Sequence, residues 1–378
     1  MNGRSRVLAG ATAAWAALLP AHVLLTGRWW PWFAMAALPP ITLVAVPLLL
    51  LALVPLARPA RRWRTAALVA ALAAALAAGA VLAGIRPVAW ATAAAADGAD
   101  GADGADGADG AGGLKVFAWN TEYWDMTDDT GRFYAFLRAQ HADVYLLQEY
   151  IYWTDRPIDS GQTAAGRAGN AGIGGEPIRI DALPLIRAAF PGYHIAVDGE
   201  LISISRLPIV ATSAPPAGKT PGTDAFDDWD KVQRVDVRVG PRVLSLYNVH
   251  LPSPVDWSRH PWSSAFYRIA HHQFDQWRAA LSRLRADVAR NPNPMVVAGD
   301  FNSPWVGGLE GLGHGLRPRS PGGALYSASW PTREFAAPRL WRLDWALTSA
   351  GVKVTGYRFG ANHGLSDHLA QEMHISLG

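Results

Sequence analysis

With 378 residues, half of them hydrophobic and none of them cysteine, the chain has room for one large domain plus a further region. The lack of cysteine excludes disulfide bonds and thiolate metal ligands, so a bound metal must be held by oxygen and imidazole groups. The formal charge of +3 lies entirely in residues 1–113, which hold eight arginines and five aspartates. Residues 114–378 have equal numbers of basic and acidic residues, which argues against a domain that binds polynucleotides through many phosphates.

The first region is apolar and predicts membrane helices. Runs over residues 7–26, 32–56 and 66–85 are each close to the ~20 residues that a spanning helix needs, and none contains Asp, Glu, Lys or Arg. Prolines at positions 39, 40 and 47 predict a kink in the second run, which membrane helices tolerate. We expect residues 1–90 to form a three-helix transmembrane anchor in the lipid bilayer. A cleavable signal peptide is the alternative for the first run.

Arginines flank these runs unevenly and predict the orientation of the anchor. Arg4 and Arg6 precede the first run, and the segment RPARRWR at residues 58–64 lies between the second and third. The positive-inside rule places both in the cytoplasm, so an odd number of spans puts the rest of the chain on the extracytoplasmic side of the cell membrane. The small residues of WATAAAAD at 90–97 resemble a signal-peptidase site, which leaves proteolytic release of that part as the alternative.

A repeat of Asp, Gly and Ala follows the anchor, with the sequence DGADGADGADGADGAGG at residues 97–113. It has no side chains that could build a hydrophobic core, so residues 91–113 are predicted to be a disordered linker. As a flexible coil, the repeat would span roughly 25 Å, from ~5–6 Å times the square root of the residue number. The linker would therefore keep residues 114–378 close to the bilayer.

From residue 114 onward, short apolar strands alternate with helices and long loops, which is typical of an α/β domain. Helices are predicted at 130–140 and 265–290 from apolar stripes that contain Phe133, Phe136, Leu137 and Trp277, Leu281, Leu284, Val288. Five apolar strands end in, or just before, residues that can bind metal or move protons: Asn120; Glu149; His250; Asp300 with Asn302; and Asp367 with His368. The rim of a sheet lets such side chains leave the core without burying an unpaired charge. Turn formation explains one such ending but not five in one domain.

The ordered motifs WN, LLQE, SRLPI, YNVHL, GDFNS, LDWAL and SDH make the chain similar, from about residue 115 to the C-terminus, to the endonuclease/exonuclease/phosphatase superfamily with the DNase I-like fold. The resemblance implies an α/β, four-layer αββα sandwich with two packed mixed sheets, helices outside and the active site at one end. It also implies a metal-dependent hydrolase of phosphoric esters or anhydrides. Three spans before such a domain resemble, in layout, bacterial membrane proteins linked to teicoplanin resistance.

The resemblance implies a metal site built from Asn120, Glu149 and Asp367. A hard ion such as Mg²⁺, or Mn²⁺ in its place, takes one or two carboxylates and keeps its other positions for water and substrate phosphate. Asn120 would add a neutral oxygen or hold the Glu149 carboxylate. A surface acid at a strand end and a turn residue are the ordinary alternatives for Glu149 and Asn120.

Asp300 and Asn302 are predicted to face one phosphate, because residues two apart in an extended segment point the same way. The resemblance implies that Asp300 orients or deprotonates the attacking water and that Asn302 donates to the phosphoryl oxygens, whereas an Asx turn is the alternative. His368 and Asp344 are implied to form an acid–base pair, in which the carboxylate fixes the imidazole tautomer and raises its pKa. His250 would bind a phosphate oxygen or protonate the leaving group.

Arg206 and Arg234 are weaker candidates for phosphate contacts, with solvated or structural arginines as the alternative.

We expect the substrate to be a phosphate-bearing lipid or a lipid-linked cell-wall precursor, because the tether confines the domain to the outer face of the membrane. An extracellular nuclease or nucleotide phosphodiesterase is the second hypothesis, with nucleic acid as the partner. A catalytically silent envelope-binding module or sensor is the third.

Overall fold

The computed structural model describes residues 3–33, 38–57, 62–86, 113–126, 128–153, 177–214, 230–254, 260–305, 315–333 and 338–378, together with the single residues 35, 309, 312 and 313. Residues 91–112 of the predicted Asp-Gly-Ala linker and the segment at 90–97 that resembles a cleavage site lie outside the described residues, as do residues 58–61 of the basic segment.

The described residues of the apolar region form four helices, which are α1 (Gly3–Leu25), α2 (Trp30–Phe33), α3 (Thr42–Ala57) and α4 (Arg62–Leu82). Only α1 and α4 are long and apolar enough to cross a membrane among the described helices, since α3 has 16 residues. The prediction of one helix over residues 32–56 is corrected, because this stretch divides into α2 and α3. Pro39 and Pro40 explain the division, since proline supplies no N–H group and disfavours helical backbone in the residue before it.

α1, α3 and α4 pack as an antiparallel bundle. At one end, Ser5 Oγ at the start of α1 donates to the carbonyl oxygen of Ala57 at the end of α3, over 3.2 Å. At the other end, Leu19 and Leu43 share a hydrophobic cluster. A Cβ atom on Gly79 of α4 would lie 2.1 Å from the Leu43 carbonyl oxygen, so glycine is required for this close approach of α3 and α4.

Two six-stranded mixed sheets form the centre of the described part of the chain that follows the apolar region. The strands of the first are β1 (Leu114–Asn120), β2 (Val144–Gln148), β5 (His194–Asp198), β6 (Leu201–Ser205), β13 (Val352–Gly360) and β14 (Ala370–Leu377). Those of the second are β7 (Ile209–Ser213), β8 (Val232–Val239), β9 (Arg242–His250), β10 (Met295–Asp300), β11 (Arg317–Arg319) and β12 (Asp344–Thr348). Their orders are β13-β14-β1-β2-β6-β5 and β11-β12-β10-β9-β8-β7, and β3 (Ile151–Trp153) pairs separately with β4 (Pro177–Arg179).

The sheets face each other across an apolar layer to which Val116, Leu146, Leu246 and Val296 contribute. Helices α5 (Thr130–Ala139) and α6 (Leu183–Ala189) pack on the outer face of the first sheet, and α7 (Ser264–Arg290) packs on the outer face of the second. The residues of both predicted helical stripes are buried in these outer layers. The four-layer αββα sandwich implied by the resemblance is therefore confirmed.

Strand direction brings distant segments of the chain to one rim of the sandwich. β1 runs parallel to β2, and β9 runs parallel to β10, so each pair ends at a common edge. In the register of the second sheet, Asp300 lies opposite both His250 and Asp344. The antiparallel strands β6, β12 and β14 begin at the edge where their parallel neighbours end. We call this edge the active-site rim.

Candidate active site

Glu149 follows β2 directly and so lies at the active-site rim. Its backbone has φ +61°, a left-handed conformation that is strained for a non-glycine residue and that often marks a functional position. One carboxylate oxygen accepts from Asn120 Nδ2 at 3.0 Å, and the other accepts from the backbone N–H of Tyr123 at 3.0 Å. Burial raises the pKa of Glu149, and the negative charge of Asp367 adds to this effect, whereas His250 opposes it.

Asn120 connects the two sheets at the rim. Its amide nitrogen donates to Glu149 and, over 3.1 Å, to Asp300 Oδ2. Its amide oxygen accepts from the backbone N–H of Glu122 at 3.0 Å, and this N–H can only donate, which fixes the orientation of the amide. Asn120 therefore holds two carboxylates together, which is one of the two roles predicted for it, while its oxygen is engaged by the backbone.

His368 and Asp344 lie within hydrogen-bond distance, as the resemblance implied. His368 Nδ1 is 2.8 Å from Asp344 Oδ2, and Nε2 is 3.6 Å from Asp300 Oδ2. Burial lowers the pKa of His368, but the carboxylates of Asp344, Asp300 and Asp367 outweigh burial and raise it well above the ordinary value. A hydrogen bond of 2.9 Å from the His368 N–H to Ser366 Oγ holds the backbone at this point.

His250 has a buried carboxylate partner that the sequence reasoning missed. Its Nδ1 lies 3.1 Å from Glu200 Oε2, while its Nε2 lies 3.8 Å from both Glu149 Oε1 and Asp300 Oδ2. Glu200 Oε1 accepts from Lys231 Nζ at 2.5 Å. Burial raises the pKa of Glu200, but His250 and Lys231 outweigh burial and lower it to about 2, so the carboxylate is ionised.

Asp367 lies at the rim beside His368, with Oδ1 3.8 Å from Nε2 of that ring and Oδ2 accepting from Trp330 Nε1 at 2.7 Å.

Asn302 also lies at the rim, but its predicted extended geometry is wrong because its φ is +48°. Its backbone N–H donates to Asp300 Oδ1 at 2.7 Å, which is the Asx turn considered as the alternative. Its amide nitrogen donates to the carbonyl oxygen of Leu251 at 2.8 Å.

The structure does not bring Arg206 or Arg234 to the active-site rim. Arg206 pairs with Asp143, which precedes β2 and therefore lies at the opposite edge of the first sheet. Arg234 binds Asp236 through two nitrogens, at 2.8 and 2.7 Å, and also pairs with Asp287 at 3.3 Å. These contacts are the ones expected of the alternative, in which both arginines are solvated or structural.

The donor atoms at the rim suit a hard divalent cation. The described ion pairs of Glu149, Asp300 and Asp367 are all with His250 or His368, and none of them is with a lysine or an arginine. Carboxylate oxygens of this kind are the ligands that Mg²⁺ and Mn²⁺ take. Asp300, Asp344 and His368 also offer ligand atoms within 4.8 Å of one another. In this second group, His368 Nδ1 also lies within hydrogen-bond distance of Asp344 Oδ2, at 2.8 Å.

A model of the endonuclease/exonuclease/phosphatase family matches residues 117–368 of the chain. The chain is similar to the crystal structure of an endonuclease/exonuclease/phosphatase from Beutenbergia cavernae, with 17% identity over 71% of this chain and 72% of that chain and a TM-score of 0.45. A family protein from Leptotrichia buccalis has 14% identity over 70% of this chain and 100% of its own, with a TM-score of 0.47. Truncated Caenorhabditis elegans TDP2 has 16% identity, coverage of 70% and 98%, and a TM-score of 0.45. None of the curated proteins matches this chain.

Proposed function

The chain belongs to the endonuclease/exonuclease/phosphatase family and is a metal-dependent hydrolase of phosphoric esters or anhydrides, and we propose that its substrate is a phospholipid or a lipid-linked phosphate of the cell envelope. The observation that carries the proposal is that the active-site rim meets the apolar helices. Trp305, which follows the β10 end at the rim, shares a cluster with Leu19 and Leu43. The backbone N–H of Arg86, just after α4, donates to the carbonyl oxygen of Leu325 at 3.0 Å.

We propose that α1, α3 and α4 each cross the cell membrane, the 16-residue α3 by local thinning of the bilayer, and that the hydrolase domain lies outside the cytoplasm. The antiparallel packing supports this orientation, because Arg4, Arg6, Arg62 and Arg64 all lie near the end of the bundle that carries the Ser5 to Ala57 hydrogen bond. The hydrolase domain contacts the other end. Positive charge on the cytoplasmic side then places the domain on the extracytoplasmic side.

Exposed aromatic residues support a membrane-facing position for the domain. Trp262 and Tyr267, near the start of α7, are 82% and 48% exposed, and Trp30 of α2 lies against His271 of the same helix with ring centroids 4.9 Å apart. Trp and Tyr side chains of this kind are favoured at the boundary between lipid and water. A substrate whose phosphate lies at that boundary would reach the rim without leaving the bilayer.

The proposed reaction is in-line hydrolysis with a water that Asp300 orients. The oxygen of this water bonds to phosphorus while the bond from phosphorus to the leaving oxygen breaks. Asp300 takes the proton that the water loses, His368, held by Asp344, supplies a proton to the leaving oxygen, and His250, held by Glu200, donates from Nε2 to a phosphoryl oxygen. The remaining amide N–H of Asn302 donates to a phosphoryl oxygen. A divalent cation bound by Glu149 and Asp367, with Asn120 holding Glu149, would neutralise the charge of the phosphoryl group.

The test is hydrolysis by the full-length protein in lipid nanodiscs. A polyisoprenyl pyrophosphate, a phospholipid and DNA are compared with Mg²⁺ and with a chelator, using wild-type protein, Glu149→Gln and, as a matched control remote from the rim, Arg206→Gln. We expect Mg²⁺-dependent release of phosphate or a phosphorylated head group from one of the lipids, lost in Glu149→Gln and retained in Arg206→Gln. Rapid DNA cleavage with inert lipids would make the nuclease hypothesis the better one, and no hydrolysis at all would favour the binding module.

A further inference from the structure

We infer that the apolar helices bind the hydrolase domain as well as tethering it. We also infer that Trp305 joins the helices to residues 300–305, which we call the catalytic loop. The inference rests on the proposed function only for the part that this loop plays in the reaction, through Asp300 and Asn302. The contact itself is a property of the fold and can be tested without a substrate. A tethered domain that merely diffuses near the membrane would need no such contact.

Trp305 is buried among residues of the helix bundle, with 5% of its surface exposed. Its ring meets the ring of His22 in α1 edge-on, with centroids 4.1 Å apart. Leu19 and Leu43 belong to the same cluster, so side chains of α1 and α3 both surround it. His22 is itself fixed, because its Nδ1 accepts from Trp32 Nε1 of α2 at 3.1 Å. The side chain at the end of the catalytic loop is thus packed among residues of α1 and α3.

The rest of the catalytic loop is fixed by the hydrolase domain. Trp345 Nε1 donates to the carbonyl oxygen of Ser303 at 2.7 Å, and Trp277 Nε1 of α7 donates to that of Phe301 at 3.4 Å. Phe33 of α2 packs against Trp277, with ring centroids 5.8 Å apart. The helices therefore contact the loop directly through Trp305 and indirectly through Trp277.

Two consequences follow from this arrangement. The domain should stay on the helices when the covalent connection between them is cut, because a large apolar side chain would otherwise become exposed to water. The catalytic loop should also loosen when the Trp305 contact is lost, because its C-terminal support is then missing. Trp305 would be a positioning residue, since it acts on Asn302 and Asp300 through the backbone that joins them.

The experiment places a protease site in the Asp-Gly-Ala repeat of the full-length protein in neutral liposomes. After cleavage, flotation separates domain that stays with the helices from domain that is released, and added liposomes without protein show whether the domain binds lipid alone. Hydrogen exchange of the amides in residues 301–305 reports the order of the loop. The variants are Trp305→Ala, Trp305→Phe, His22→Ala and, as a matched control at the far end of the bundle, Trp63→Ala, whose ring is 61% exposed.

We expect the cleaved wild-type and Trp63→Ala domains to float with their own helices and to keep the loop protected. In Trp305→Ala and His22→Ala, most of the domain should be released and exchange in the loop should be at least tenfold faster, with Trp305→Phe in between. His22→Ala leaves the domain sequence intact, so it carries the test if Trp305→Ala does not fold. Release of the wild-type domain, its transfer to protein-free liposomes, or unchanged exchange in His22→Ala would overturn the inference. Intact docking without hydrolysis of any substrate would count against the proposed function alone.

Discussion

Replacing Glu200 with glutamine tests whether a buried carboxylate sets the protonation state of His250. Burial lowers the pKa of His250, but the carboxylates of Glu200, Asp300 and Glu149 outweigh burial and raise it from 6.5 to about 9. This rise corresponds to roughly 3 kcal/mol in favour of the protonated imidazole. Glu200 is the largest of the three contributions and lies 3.1 Å from Nδ1, so the variant loses most of this stabilisation.

We expect the pKa of His250 in Glu200→Gln to fall to about its ordinary value or below, so that about one tenth of the imidazole is protonated near pH 7.5. The proposed mechanism needs the protonated ring, and protonated ring is lost as the pH rises through the pKa. The alkaline limb of the kcat/KM profile should therefore move down by about 2.5 pH units. At about pH 7.5, kcat/KM should fall roughly tenfold and recover toward pH 6.

The assay is phosphate release by the full-length protein across this pH range, with Mg²⁺ in excess. Glu372→Gln is the matched control, because it also removes a buried carboxylate that pairs with a lysine, Lys115 at 3.1 Å, but outside the active-site rim. This control should keep the wild-type profile. If Glu200→Gln has the same alkaline limb as the wild type, the reasoning about His250 is refuted.

Three further predictions concern the rim and the strand that leads to it. Asp344→Asn removes the carboxylate that orients His368, so kcat should fall by about 10²–10⁴ with little change in KM, and steady-state kinetics with unaltered kcat would contradict this. Mg²⁺ should raise the melting temperature of the wild type, because it neutralises clustered carboxylates, and should not raise that of Glu149→Gln; an equal rise in both would place the ion elsewhere. Gly299→Ala should lower the melting temperature by roughly 5 °C or more. The added Cβ would lie 2.0 Å from the Val249 carbonyl oxygen, and the backbone of Gly299 has a φ of +142°, which alanine rarely adopts. An unchanged melting temperature would show that the strands can separate there.

The ends of apolar strands revealed most of the candidate site because parallel neighbours deliver their final residues to one edge. This rule indicated Asn120, Glu149, His250 and Asp300 from the sequence. It could not indicate Glu200, which precedes β6 instead of following a strand. β6 runs antiparallel to β2, so its first residues lie where β2 ends. The starts of antiparallel strands therefore need the same inspection as the ends of parallel ones, but their direction is a property of the folded sheet.

The same argument explains why Arg206 is remote from the rim. It follows β6, and the end of this antiparallel strand lies at the opposite edge, beside Asp143. The geometry of Asn302 was mispredicted for a different reason, because the chain leaves the extended conformation immediately after Asp300. Side-chain alternation along a strand applies only while the strand continues, and the Asp side chain that bonds the Asn302 N–H is what ends it.

In the apolar region, hydrophobic length alone predicted α1 and α4 but joined α2 and α3 into one span. The prolines at 39 and 40 were interpreted as a kink, whereas they separate a short helix that packs on α7 from a 16-residue helix in the bundle. No pattern in the sequence indicated that Trp305 would lie among the helices. Contacts between apolar residues that are far apart in the chain produce no regular spacing in the sequence, so sequence patterns do not predict them.

Anomalous X-ray diffraction from crystals of the full-length protein soaked in Mn²⁺ tests the central claim most directly, namely that the rim seats a divalent cation beside the two histidine–carboxylate pairs. A peak against the carboxylates of Glu149 and Asp367, with Asn120 still bonded to Glu149, is the predicted result. Absence of Mn²⁺ from this rim, or a peak held instead by Asp344 and His368, would contradict the proposed hydrolytic site.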